Sequence, residues 1–184
     1  MAAEAIRAFF CVPLPDRAKQ DVGTVAQRIR SELRARASWV AQANYHVTLR
    51  FLGDIDPAAT VALREAALEM ARTLKPFELT LDRAGAFPSV DRARVVWMGG
   101  ETPEAFRTLV DGLNARIEAL GYVRERRTPL AHVTLARIKD RPVPMAFPSM
   151  VPTVLVPVNR IVLMESRLTS QGAIYTPLFR VSID

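Results

Sequence analysis

The tetrad His-Val-Thr-Leu occurs twice, at residues 46–49 and 132–135, and the two copies hold both histidines of the 184-residue chain. A repeat of this kind constrains a fold strongly, because two like segments lying just under half the chain length apart point to a duplicated architecture. In an extended strand, side chains two apart share a face. His46 and Thr48 therefore project together while Val47, Leu49 and Phe51 take the other face; His132 and Thr134 likewise oppose Val133 and Leu135. If the two strands lie side by side about an approximate twofold axis, two imidazoles and two hydroxyls converge on one phosphate-sized cleft.

The rest of the chain supplies alternating strands and helices. Residues 5–12 read as a short buried strand stopped by Pro13 and Pro15, after which Asp16 is expected to cap a helix. That helix runs to about Arg36, with Val22, Val25, Ile29 and Leu33 recurring at helical spacing. A strand is expected over residues 45–52, then Asp56 and Pro57 as the cap and first position of a second helix reaching about Leu74. Residues 77–82 alternate as a strand, 85–88 are expected to turn the chain, and 94–98 form another strand closed by Gly99 and Gly100. Thr102 and Pro103 start a third helix, with Phe106, Leu109, Leu113 and Ile117 on one stripe and Gly121 at its end. A strand follows over 130–138. Five prolines between Arg141 and Pro157 predict an extended lip or edge segment. Residues 159–165 and 173–183, joined by a turn around Gln171 and Gly172, close the fold, giving the order βαβα ββα βββ in one domain, 1–184, of two pseudo-symmetric lobes.

Charge bears on the ligand. Lys and Arg number 25 against 19 Asp and Glu, a formal +6, and the basic residues are nearly all arginine. Arginine's planar fork matches phosphate oxygens, which agrees with a nucleotide or nucleic-acid ligand and equally with a solvated surface. The single cysteine, Cys11, excludes an internal disulfide and lies in an apolar run that suits a buried thiol rather than a nucleophile. No apolar run reaches the ~18 residues that span a bilayer. Neither a membrane span nor a signal peptide is expected, and the cytoplasm is the expected location.

Two imidazoles with unperturbed pKa near 6.5 can divide acid–base work. The neutral one accepts a proton from an attacking water while the protonated one donates to a departing ribose oxygen. Thr48 and Thr134 can donate to phosphoryl oxygens, and a nearby guanidinium can meet developing negative charge. A zinc site is disfavoured, because zinc takes three or four protein ligands and Asp54 or Asp140 would have to complete one. No cofactor is expected.

These residues resemble the RNA 2′,3′-cyclic phosphodiesterases, the 2′-5′ RNA ligase-like group of the two-histidine (2H) phosphoesterase superfamily, nearly end to end. Beside the tetrads the resemblance includes Arg7-Ala8-Phe9-Phe10 leading to Leu14-Pro15, Trp39, and Leu49-Arg50-Phe51-Leu52-Gly53. It continues through Gly85-Ala86-Phe87-Pro88, Val95-Val96-Trp97, the segment 132–137 and Leu163-Met164-Glu165-Ser166, with Gly172 and Tyr175 close behind. It implies a bilobal, duplicated α+β fold in which two antiparallel sheets form a V-shaped cleft with helices outside. It also implies metal-independent opening of 2′,3′-cyclic phosphates to 2′-phosphates, with His46 as proton donor and His132 as proton acceptor. The sequence departs from the family at Ala131, where proline is common. Arg137 matches the family's substrate-side arginine, yet simple alternation puts it opposite His132, so a bulge is needed to bring it round. Arg50 has the correct parity as it stands. Phe9, Trp39, Phe87, Trp97 and Tyr175 are candidates to stack a base, Phe9 and Tyr175 foremost, although any one of them also suits a core.

The expected ligand is RNA ending in a 2′,3′-cyclic phosphate, tRNA fragments included, or a smaller cyclic nucleotide, bound by a monomer. Two other readings compete: ligation of cleaved tRNA halves through a 2′-5′ bond by the same groups, and a non-catalytic module that holds RNA or nucleotide phosphate.

Overall fold

The computed structural model describes residues 4–148, 150–170 and 172–184. Its strands are β1 (Ile6–Pro13), β2 (Ala37–Trp39), β3 (His46–Ile55), β4 (Phe77–Leu81), β5 (Arg83–Phe87), β6 (Val95–Gly99), β7 (His132–Ile138), β8 (Val154–Val158), β9 (Arg160–Thr169) and β10 (Gly172–Ser182). Three helices, α1 (Asp16–Glu32), α2 (Thr60–Ala71) and α3 (Glu104–Ala119), complete an α+β fold with two antiparallel sheets. The larger sheet runs β10-β9-β1-β3-β7-β6-β5, with β2 on the edge of β7; the smaller pairs β4 with β8.

The helices and the small sheet cover one face of the large sheet. Val22, Val25 and Ile29 from α1, Leu63, Ala67 and Met70 from α2, and Phe106, Leu109, Leu113 and Ile117 from α3 join Phe10, Val12, Val47, Val133 and Leu135 in one buried cluster. Each helix buries the stripe its apolar spacing defines, and full burial of such side chains contributes about 1.5–3 kcal/mol apiece. The opposite face of the sheet has only a small cluster of Phe9, Cys11 and Val162, edged by Met164 and Tyr175. That face is left open.

The two halves of the large sheet meet at one residue pair, Val47 opposite Val133. Outward from it the registers match. On β3, Val12 faces Val47, Cys11 faces Thr48 and Phe10 faces Arg50; on β7, Met98 faces Val133, Trp97 faces Thr134 and Val96 faces Ala136. Each tetrad strand therefore carries one extra residue at the same place, Leu49 in the first copy and Leu135 in the second. Both are β-bulges, which shift the alternation of the residues that follow; on β3 a second irregularity, at Leu52, shifts it again. Leu49 and Arg50 are both buried while Phe51 is exposed; Leu135 and Ala136 are both buried while Arg137 is exposed.

The bulges decide the two arginines. Arg137 is turned to the histidine face, as the family resemblance requires. Arg50 is turned away from it, which corrects the expectation drawn from parity: its side chain is 5% exposed and donates from Nη1 to Asn114 Oδ1 at 3.1 Å and from Nη2 to the Val123 carbonyl.

Several element boundaries also differ from the sequence expectation. Asp16 is the first helical residue, and Pro15 occupies the cap position with no side-chain cap. Helix α1 stops at Glu32, with Leu33 already extended at its C-cap, and residues 37–39 pair instead with the free edge of β7. Of the expected turn at 85–88, residues 85–87 instead belong to strand β5, which pairs with β6 so that Gly85 lies opposite Trp97, where a Cβ would overlap the indole. Within the proline-rich segment, residues 154–158 form β8, whose Pro157 sits opposite Glu78 in a two-stranded sheet with little need for its missing N–H. Gln171, placed in the last expected turn, lies outside the described residues.

Because Arg50 is a buried cation held by an amide and a carbonyl, Arg50→Ala is expected to lower unfolding free energy by about 2–4 kcal/mol through lost packing and orphaned acceptors. Urea unfolding followed by circular dichroism measures this, and a loss below about 0.5 kcal/mol would mean the guanidinium is not structural.

Candidate functional site

His46 and His132 open their strands at equivalent positions, and each ring is fixed in the same way. His46 Nδ1 lies 2.7 Å from the carbonyl of Asn44, and His132 Nδ1 lies 2.8 Å from the carbonyl of Leu130. A carbonyl only accepts, so Nδ1 carries the hydrogen in both rings. That leaves both Nε2 atoms as the groups able to exchange a proton. Antiparallel pairing at Val47 and Val133 sets each histidine beside the threonine of the other copy. Thr48 and Thr134 are half-buried, and among the described residues neither hydroxyl has a side-chain hydrogen bond.

Aromatic rings wall both imidazoles. Phe9 packs under His46 at 4.8 Å between centroids and Tyr175 meets its edge at 5.4 Å. Phe87 meets the edge of His132 at 5.1 Å and stacks on Trp97 at 5.3 Å, while Trp97 itself lies 6.4 Å from His132. The absence of a side chain on Gly85 lets the indole lie flat enough for that stack. These walls remove water from the rings and so disfavour their charged forms. The His46 pKa is lowered to about 4, chiefly by burial, with the Asn44 hydrogen bond opposing and the charge of His132 adding. His132 is also lowered, again first by burial, with the Leu130 carbonyl opposing and Arg137 adding. The two histidines feel one another, and Arg137 acts on both His132 and the Tyr175 hydroxyl. Arg137 is exposed and near enough to both groups for its charge to be felt by each.

The approach of β7 is held by Thr102, whose hydroxyl accepts from the Ala131 N–H at 3.1 Å. Proline at position 131 would lack that donor, so Ala131 exchanges a rigid backbone for a hydrogen bond one residue before His132.

The other residues expected at the site divide. Phe9 is 2% exposed and forms the floor beneath His46, so it offers no open face for a base. Tyr175 is half-buried on the cleft side. Trp39 is on the far face of β2, packed against the core with the Arg30 guanidinium 5.9 Å from its ring centre. Cys11 is buried, its pKa pushed up to about 12 by that burial, as suits a structural thiol. Ser38, opposite Arg137 on β2, and Phe51 share the cleft face; neither was expected there. A comparison of the two repeats five residues past each histidine would have aligned Phe51 with Arg137. Among the described residues, no three His, Cys, Asp or Glu side chains gather closely enough to hold a metal ion.

Known proteins are similar to this chain in sequence and fold. Residues 12–97 match the family described as LigT like Phosphoesterase. An RNA 2′,3′-cyclic phosphodiesterase of Aquifex aeolicus is 34% identical over 166 residues, spanning 85% of this chain and 88% of that protein. One of Aeropyrum pernix is 36% identical over 77% of this chain and 84% of its own length. Among solved structures, Escherichia coli LigT complexed with 3′-AMP superposes with a TM-score of 0.83 at 27% identity, covering 98% of this chain and 99% of that one. A Thermus thermophilus protein, TT0787, gives 0.80 at 29% identity over 97% and 98%. With this similarity extending over most of its length and through the cleft that joins its two His-x-Thr strands, the chain belongs to the LigT-like phosphoesterases of the 2H superfamily.

Proposed function

We propose that this protein hydrolyses the 2′,3′-cyclic phosphate at the end of an RNA strand to a 2′-phosphate, using His46 and His132 as its acid and base. One observation carries the reading: two histidines with the same tautomer, each tied through Nδ1 to its own strand, present Nε2 to one cleft. The names of the relatives, RNA 2′,3′-cyclic phosphodiesterases, agree with it. Residues 1–184 act as one 2H domain of two pseudo-symmetric lobes.

In the reaction, neutral His132 takes a proton at Nε2 from the attacking water as its oxygen bonds to phosphorus. Protonated His46 gives its Nε2 proton to the ribose 3′ oxygen as the P–O3′ bond breaks. The donor and acceptor roles follow the family resemblance. Charge growing on the non-bridging oxygens is met by the hydroxyls of Thr48 and Thr134 and by Arg137, in a cleft whose aromatic walls strengthen each interaction by excluding water. Tyr175 borders the ribose.

The lowered pKa of His46 bears on how the site charges. In the free protein both imidazoles resist protonation, so the form with His46 protonated is scarce at neutral pH. A bound phosphodiester anion beside His46 favours the imidazolium and raises its pKa. The substrate thereby promotes protonation of the acid that will cleave it.

Two measurements test this. With a short RNA ending in a 2′,3′-cyclic phosphate, in EDTA, the wild type is expected to release only the 2′-phosphate. His46→Ala and His132→Ala are each expected to lose at least about 10²–10⁴-fold in kcat with an unchanged circular dichroism spectrum; near-normal turnover by either variant would overturn the assignment. Across pH, kcat/KM reports the free protein and kcat the complex. Because His46 must be protonated and His132 neutral, and burial lowers both pKa values in the free protein, the limb on which kcat/KM falls with rising pH is expected below the ordinary imidazole pKa of about 6.5. The corresponding limb of kcat is expected to lie at higher pH, and coincident limbs would contradict the role of the bound anion.

A further inference from the structure

An RNA that ends in a 2′,3′-cyclic phosphate has nucleotides on one side only, joined through the 5′ oxygen of its last ribose. The strand must therefore leave the catalytic cleft along a single path. Arg137 is exposed on the histidine face on one side, at the register position opposite Ser38 and Val95. On the other, at the position related to Arg137 by the repeat, is Phe51, half exposed on the cleft face with its ring 5.8 Å from Phe9. An aromatic ring so exposed in the middle of a strand gains nothing from the core.

Next to Phe51 is a cavity of about 400 Å³, lined also by Leu52, Tyr122, Val123, Arg124 and Glu125. These loop residues stand to His132 as β2 stands to His46: Glu125 lies seven positions before His132, as Trp39 does before His46. Where β2 covers the edge of β7 by strand pairing, the loop reaches β3 through the Arg50 side chain and leaves space beside Phe51. The loop is strongly basic, with Arg124, Arg126 and Arg127 against the single carboxylate of Glu125. Glu125 is held by Arg127, at 3.1 Å from both Nε and Nη2. Arg124 has only a loose, exposed pairing with Glu118 at 3.9 Å, and Arg126 has no ion pair among the described residues. Exposed pairs of this kind contribute little and are readily exchanged for a phosphate.

We infer that Phe51 and the arginines of this loop form a second nucleotide site, in which the nucleotide preceding the cyclic phosphate stacks its base on Phe51 and sets its phosphate against Arg124 and Arg126. Stacking on an exposed aromatic is tolerant of base identity, and phosphate contacts are sensitive to salt. The protein is on this account a processor of RNA strands rather than of mononucleotides. The inference rests on the phosphodiesterase reading above and adds a substrate preference to it.

The experiment compares a nucleoside 2′,3′-cyclic phosphate with a trinucleotide ending in the same group, for wild type, Phe51→Leu and the double variant Arg124→Ala/Arg126→Ala. Leucine keeps apolar bulk over Phe9 while removing the flat face. The wild type is expected to favour the trinucleotide in kcat/KM by at least about tenfold. Each variant is expected to lose most of that preference through KM while its mononucleotide turnover stays within about twofold, and the arginine variant is expected to show a flatter salt dependence. Equal losses on both substrates, or a wild type without preference, would overturn the second site. Should the wild type hydrolyse neither substrate, the phosphodiesterase reading fails. Titration of the same proteins with a nucleoside 2′-phosphate and a trinucleotide 2′-phosphate then decides the second site by the same comparison.

Discussion

Val47 and Val133 face each other across the middle of the large sheet, both fully buried, and among the described residues no other pair is in register between β3 and β7. Such a short junction joins two well-paired halves while letting them diverge, and the divergence leaves room for a ligand. It also dictates the site. The residues on either side of this pair are His46 and Thr48 on one strand and His132 and Thr134 on the other, so alternation raises all four from the open face around the axis. Burying the valines and exposing the histidines are one structural event.

Around that junction the protein uses approximate symmetry for placement and local differences for chemistry. Both rings donate from Nδ1 to a carbonyl two residues earlier, which is a property of how each strand begins. Their surroundings differ: Phe9 and Tyr175 enclose His46, while Phe87 and Trp97 border His132 under the influence of Arg137. Burial lowers the pKa of both rings, with the charge of His132 adding at His46 and that of Arg137 adding at His132, so the two identical groups sit in unlike fields. The paired bulges show the same economy. Each turns the residue five places after its histidine toward the cleft, and the two positions then carry a guanidinium in one copy and a phenyl ring in the other.

Burial also separates residues that look alike in sequence. Arg50 and Arg137 each lie close behind a histidine in an extended run, yet one is buried with its Nη1 and Nη2 donating to Asn114 and a backbone carbonyl while the other is exposed on the histidine face. Phe9 and Phe51 are both aromatic and on the open face, yet the first is sealed beneath His46 and the second is half exposed. The first member of each pair is tied into the body of the protein, and the second is open on the cleft face.

Much of this was legible in the residues alone. The repeated tetrad, its strand alternation and the absence of any other histidine pointed to His46 and His132 as a pair; the apolar stripes located the three helices; and the α+β fold followed from a resemblance running the length of the chain. Hydrophobic periodicity is a local property, and where local periodicity governed, the reading agreed with the structure. What only the tertiary structure decided was the phase of alternation past each bulge, the pairing of β2 and β8, and which aromatics are open to a ligand. A bulge depends on how many residues the neighbouring strand offers, and exposure depends on what packs above a side chain. Both are set by partners distant in the chain, so which of Arg50 and Phe51, adjacent in sequence, faces the cleft was decided only once β1, α3 and the loop at 121–127 were in place around them.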